Sequence, residues 1–185
     1  MKNIESLMKK ATELKAEGLV EGQISEELNI SEETVTWLLT HAEKAGTAPG
    51  PKDISVDWSV IGKSAFRLSH ISEALSDILY ETLDEGGRGV DVVVGVALSG
   101  LPLASMVANS LSAELAVYTP SKQMLTAESG KARGNLSANF AAVMDKECII
   151  VDDVITSGRT LEEAVEYLDE HGAKISAIAV LIDKK

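Results

Sequence analysis

Two carboxylates stand side by side in the segment IIVDDVITSGRT, Ile149 to Thr160. Asp152 and Asp153 follow three apolar residues and precede a short turn made of Thr156, Ser157, Gly158, Arg159 and Thr160. Backbone N–H groups at the start of a helix bind anions, and the hydroxyls of Thr156, Ser157 and Thr160 would add donors. Gly158 lets the backbone come close to such an anion. Acids beside a phosphate cup repel a bare phosphate, so the pairing makes sense only for a ligand that also carries hydroxyls. Two carboxylates can accept from the 2′- and 3′-hydroxyls of a ribose while the turn holds its 5′-phosphate. The segment therefore reads as a ribose-5-phosphate grip. A plainer role, a strand end before an N-capped helix with solvated acids, suits an isolated acid pair. The apolar–DD–x–x–T–S–G–x–T pattern between strand and helix favours the grip.

The grip needs a strand that carries Asp152 and Asp153 at its carboxyl end and a helix that starts near Thr160. The periodicity predicts both. ECIIVDDVI is a strand, Thr160 to His171 a helix and KISAIAVLI a further strand. Upstream, ISVDWSVI suits a strand, Ser64 to Asp84 a helix, Val90 to Leu98 a strand, Pro102 to Ser112 a helix and Ala113 to Pro120 a strand. Ser121 to Ser137 is polar, contains glycine and carries no periodicity. Apolar strands alternating with helices imply a parallel sheet covered on both faces, with ligands at the carboxyl ends of the strands.

The 185 residues have room for one domain with a real core plus a small appendage. A break falls at GTAPGPKD, Gly46 to Asp53, which holds two of the four prolines. Residues 1–48 are expected to form one domain and residues 49–185 another. The net charge of −12 disfavours a sequence-blind nucleic-acid binder, which needs cations for counterion release. The single cysteine, Cys148, has no disulfide partner, as suits a reducing cytosol. The N-terminus has no apolar signal core, and the most apolar stretch, Val92 to Leu111, is broken by glycines and Pro102. A cytoplasmic protein with no membrane partner is expected.

The front part is helical throughout. Ile4, Leu7, Met8, Ala11 and Leu14 share a helical face that ends at Gly18. A second helix covers Glu21 to Leu28, and a third follows Ser31, with Val35, Leu38, Leu39 and Ala42 on its apolar face. EGQISEELNISEETVTWL fits a helix-turn-helix: Ser25 is small where the helices cross, and Asn29 tolerates the left-handed turn. Three-helix assembly modules share this pattern. As a DNA reader, its third helix would present Thr36, Trp37, Thr40 and Lys44, with Trp37 equally suited to packing on the second domain. Residues 1–48 hold five lysines, no arginine and nine glutamates. Phosphate contacts would fall to Lys9, Lys10, Lys44, Lys52 and backbone N–H groups, so a dimer would carry much of the binding. A wing has room around Gly46–Val60.

The IIVDDVITSGRT segment resembles the phosphoribosyl pyrophosphate (PRPP) motif of the type I phosphoribosyltransferases, and the resemblance spans about residues 54–183. It implies that Asp152, Asp153, Thr156, Ser157, Gly158, Arg159 and Thr160 bind PRPP. VVVGVALSGLPLA, Val92 to Ala104, is similar to the family's diphosphate loop, which puts Ser99 and Gly100 on the diphosphate. Mg²⁺ is then the implied cofactor, riding on the ligand's oxygens, with no side chain ligating it directly.

YTPSKQMLTAESGKARGNLSANF matches the position of the basic catalytic loop of orotate phosphoribosyltransferases. It keeps Lys122, the one candidate catalytic residue, with Lys131 and Arg133 further on. It has no histidine and lacks the run of basic residues beside Lys122. That departure bears on turnover more than on binding.

A helix-turn-helix ahead of such a domain, with DISVDW and LSANFAAV, is similar to archaeal orotate phosphoribosyltransferase-like transcriptional regulators. The resemblance implies an α/β architecture: a small helical domain, winged or not, then a phosphoribosyltransferase-type parallel sheet. It also implies a homodimeric regulator that binds double-stranded DNA and takes PRPP or a related metabolite as effector. An active phosphoribosyltransferase for a pyrimidine or purine base is the alternative. A PRPP-binding partner protein without DNA affinity is a third reading.

Overall fold

A computed structural model describes residues 4–41, 53–124 and 133–184. The chain forms two compact units, Met1–Trp58 and Ser59–Lys185. The division falls ten residues beyond the boundary read from the linker.

In the first unit, α1 covers Ile4–Ala16, α2 Glu21–Leu28 and α3 Glu32–His41. Met8, Ala11, Ile24, Leu28, Ile30, Val35 and Leu38 are buried together, with Leu14, Trp37 and Leu39 packed against them. The turn between α2 and α3 depends on Asn29, whose φ of 52° is left-handed and whose N–H donates back to the Glu26 carbonyl. Ser25 is buried and donates to the Gly22 carbonyl, so its hydroxyl is satisfied. Ser31 caps α3 by accepting from the Thr34 N–H at 3.2 Å.

Residues 53–58 explain the later boundary. Asp53 accepts from the Ser31 N–H at 2.8 Å and from the Thr34 hydroxyl at 2.9 Å. Asn29 donates from Nδ2 to the Val56 carbonyl, and Ser55 donates to the Leu28 carbonyl. The segment is thus laced to the α2–α3 turn by side chains. This corrects the strand expected at ISVDWSVI: residues 53–58 form no strand, and Ser59–Gly62 is a short helix, α4. The segment's partners are side chains and helix ends rather than a neighbouring strand. The other part of the stretch with room for a wing, residues 46–52, lies outside the described residues.

In the second unit, a five-stranded sheet runs in the order β3-β2-β1-β4-β5. The strands are β1 (Val92–Val96), β2 (Glu114–Thr119), β3 (Asn135–Leu136), β4 (Glu147–Ile155) and β5 (Lys174–Asp183). All pairs are parallel except β2–β3. Helices α5 (Ala65–Glu85), α6 (Gly100–Leu111) and α7 (Arg159–Glu170) complete the unit.

Strand alternation sorts the core. Val92, Val94, Val96, Ala116, Tyr118 and Ile150 meet Leu161, Ala164 and Leu168 of α7. On the opposite face Gly95 meets α6, where a Cβ would lie 2.7 Å from that of Ala104. Both faces are therefore covered, as the nearly unbroken apolar strands require. The two-residue β3 lies in the stretch read as structureless, since a strand that short leaves no periodicity. Among the described residues no helix is long and apolar enough to cross a membrane.

Candidate functional site

The parallel pairing of β1 with β4 brings their carboxyl ends to one edge of the sheet, with Gly95 opposite Val151. The turn after β1, Ala97 to Ser99, therefore faces the acid pair of β4. Asp152 and Asp153 are 7% and 4% exposed, so the solvated-acid reading does not describe them. Burying two adjacent carboxylates demands partners. Ser99 donates from its hydroxyl to Asp153 Oδ1 at 2.8 Å, and the Asp153 N–H donates to Asp152 Oδ1 at 2.9 Å. The peptide bond between Ala97 and Leu98 is cis.

Gly100 opens α6 directly against Asp152. A Cβ there would lie 2.8 Å from the Asp152 Cα and 2.8 Å from its Oδ1, so only glycine permits this approach. Thus Ser99 and Gly100, singled out by resemblance to a diphosphate loop, touch Asp153 and Asp152 directly.

After the acids, β4 continues to Ile155 and the chain turns through Thr156, Ser157 and Gly158 into α7. Gly158 has φ +86°, a left-handed conformation that strains other residues. Helix α7 begins at Arg159, so Thr160 lies in its first turn. The Arg159 N–H points at the Ser157 hydroxyl at 3.5 Å. The site therefore combines a buried carboxylate pair with a glycine-led helix N-terminus, the arrangement a polyhydroxylated phosphate ester needs.

Lys122 lies in a 3₁₀ turn, Ser121–Gln123, directly after β2. Gln123 donates from Nε2 to the Ala97 carbonyl at 2.5 Å, so this turn is tied to the β1–α6 turn. Arg133 pairs with Glu170 at 3.4 Å with its side chain 80% exposed, a solvated surface pair. Lys131 lies outside the described residues.

Glu163 had no signal in the sequence, because an acidic helix face is usually solvated. Here it accepts from the Tyr118 hydroxyl, the Ser121 N–H, the Ser121 hydroxyl and the Gly134 N–H, at 3.0–3.1 Å. Burial, with Glu163 beside it, raises the Tyr118 phenol well above its ordinary value. Among the described residues no group of three or more His, Cys, Asp or Glu could hold a metal.

On the first unit, Thr36 and Thr40 are exposed one turn apart on α3. Thr36 donates to Glu21 at 2.7 Å, and Thr40 donates back to the Thr36 carbonyl at 2.8 Å. Trp37 is half-buried against the front core and stacks on His41, with ring centroids 4.7 Å apart. Lys9 is near Glu13, at 3.8 Å. Lys44 and Lys52 lie outside the described residues.

Comparison with known proteins identifies the fold and the family. Residues 67–185 match the phosphoribosyl transferase domain family. The fold is shared with orotate phosphoribosyltransferase from Aeropyrum pernix, at TM-score 0.56 and 22% identity, covering 75% of this chain and 71% of that one. Adenine phosphoribosyltransferase from Saccharomyces cerevisiae gives TM-score 0.59 at 17% identity, covering 74% and 79%. Over its whole length the chain is 68% identical to the transcriptional regulator GfcR of Methanothrix thermoacetophila, covering 90% of that protein. It is 58% identical to transcriptional regulator GfcR 1 of Methanosarcina barkeri, again covering 90%. With the helical unit in front of a phosphoribosyltransferase-type sheet, and likeness running through both, the chain belongs to the GfcR family of transcriptional regulators.

Proposed function

We propose that this protein is a cytoplasmic, homodimeric DNA-binding regulator whose second unit binds PRPP or a related phosphoribosyl metabolite as effector. The observation that carries the reading is the contact between the two halves of the site. Ser99 bonds Asp153, and Gly100 packs on Asp152, so the diphosphate side and the ribose side form one surface.

Each residue has a defined task. Asp152 and Asp153 accept from the ribose hydroxyls. Thr156, Ser157, Gly158, Arg159 and Thr160 hold the 5′-phosphate through hydroxyls and the α7 N-terminus. When a ribose hydroxyl donates to Asp153, the Ser99 hydroxyl turns from that carboxylate to the diphosphate. The oxygen-only donor set suits a hard cation, and Mg²⁺ would neutralise the ligand's diphosphate beside the acids. Thr36, Trp37, Thr40 and Lys44 are the side chains proposed to face DNA. An effector shifts DNA binding only through a difference in affinity between two arrangements of the protein.

Isothermal titration with Mg²⁺–PRPP tests the effector site. The unaltered chain is expected to bind, and Asp152→Asn with Asp153→Asn to lose at least tenfold in affinity, about 1.4 kcal/mol. Intact binding in the double variant would refute the site.

One observation favours a second reading. The Gln123–Ala97 hydrogen bond sets the turn carrying Lys122 beside the candidate diphosphate loop, as a catalytic lysine would need. Base-dependent diphosphate release from PRPP would establish an active phosphoribosyltransferase. A null across orotate, uracil and purine bases would count against turnover and leave the non-catalytic readings.

A further inference from the structure

Glu163 and Gln123 belong to no assigned part of the site, yet they close a ring of contacts around it. Starting at α7, Glu163 accepts both the N–H and the hydroxyl of Ser121 at 3.0 Å. Ser121 opens the 3₁₀ turn that ends at Gln123. Gln123 donates to the Ala97 carbonyl in the β1–α6 turn. Two residues on, Ser99 donates to Asp153 of β4, whose chain leads through the phosphate turn back into α7.

Glu163 also accepts from Gly134, where a Cβ would collide with the Tyr118 hydroxyl. A half-buried carboxylate that takes four hydrogen bonds from three chain segments is a built node. Removing it would leave donors without their acceptor.

We propose that Glu163 and Gln123 are positioning residues for the diphosphate half of the site. Glu163 fixes the 3₁₀ turn to the phosphate-binding helix, and Gln123 fixes the β1–α6 turn to that 3₁₀ turn. Together they fix the turn that carries Lys122 relative to the Ala97–Ser99 turn. The ribose and 5′-phosphate contacts, at Asp152–Thr160, fall to β4 and the N-terminus of α7 rather than to the 3₁₀ turn or the β1–α6 turn. This inference rests on the phosphoribosyl reading of the site and assigns its discrimination between ligands with and without a diphosphate.

Two probes separate the halves: Mg²⁺–PRPP, and ribose 5-phosphate, which lacks the diphosphate. Both are titrated against the full chain. Glu163→Ala is expected to weaken Mg²⁺–PRPP about tenfold or more while leaving ribose 5-phosphate within about twofold. Glu163→Gln keeps one acceptor oxygen and should fall between the two. Gln123→Ala, which removes the link to Ala97, should show the same selective loss and carries the test if Glu163→Ala does not fold. Equal losses for both ligands, or undiminished PRPP affinity, would overturn the proposal. If the unaltered chain binds ribose 5-phosphate but PRPP no more tightly, the diphosphate half is absent and the proposal falls while the ribose grip stands. Binding of neither ligand would sink the phosphoribosyl reading itself.

Discussion

Ser99 and Asp153 meet across a short hydrogen bond, and Gly100 presses on Asp152, so a handful of atoms joins two distant parts of the chain. Gly100→Ala sets a Cβ against backbone, which cannot swing aside. A loss of about 1–3 kcal/mol is expected, read as a lower urea midpoint at unchanged slope. At Cys148 the chemistry runs through burial, which together with nearby Asp91 pushes the thiol up to about 11. The folded protein should resist alkylation at pH 8 and react only when denatured. The sign of the pH effect follows. Cys148 and Tyr118 both hold their protons more tightly when folded, so their contribution is complete below about pH 9. The Cys148 part is lost as pH rises toward 11 and the Tyr118 part only above the ordinary tyrosine range, so the urea midpoint should decline from about pH 9 upward. A flat midpoint from pH 8 to 11 would contradict this.

At the scale of elements, most of the fold was legible because burial leaves a period. Strand β4 and helix α2 have the ends that their apolar patterns gave. Asn29, expected to take a left-handed turn, adopts positive φ, and so does Gly158, which was singled out for close backbone approach to an anion. What was not legible depends on side-chain partners far away in sequence. The segment after the linker looks like a strand by composition, but its Asp53 caps α3 and its Val56 carbonyl takes Asn29. Glu163 looks like any acid on a solvated helix until Tyr118, Ser121 and Gly134 fold around it. The two-residue β3 is too short to carry a pattern. The capping role of Asp53 is open to test. Asp53→Ala should cost about 1 kcal/mol and speed amide exchange in α3 more than in α1. Unchanged exchange in α3 would mean that its N-terminus is held by Ser31 alone.

At the scale of the whole molecule, charge sets the terms for DNA. The chain carries −12, and Glu21, Glu32 and Glu33 surround the exposed threonines of α3. Residues 1–48 hold only five lysines and no arginine, so the dependence of affinity on salt should be shallow, with a slope set by the few lysines engaged. Two front units in one dimer would supply the rest. If effector and DNA are coupled, the coupling is reciprocal: the factor by which PRPP changes DNA affinity is the factor by which DNA changes PRPP affinity. The most direct measurement is selection of genomic DNA fragments by the purified protein at low salt, with and without Mg²⁺–PRPP. Recovery of a discrete, roughly palindromic site whose affinity shifts with PRPP is the predicted result. No enrichment under either condition, or a site bound identically with and without PRPP, would contradict a PRPP-responsive regulator.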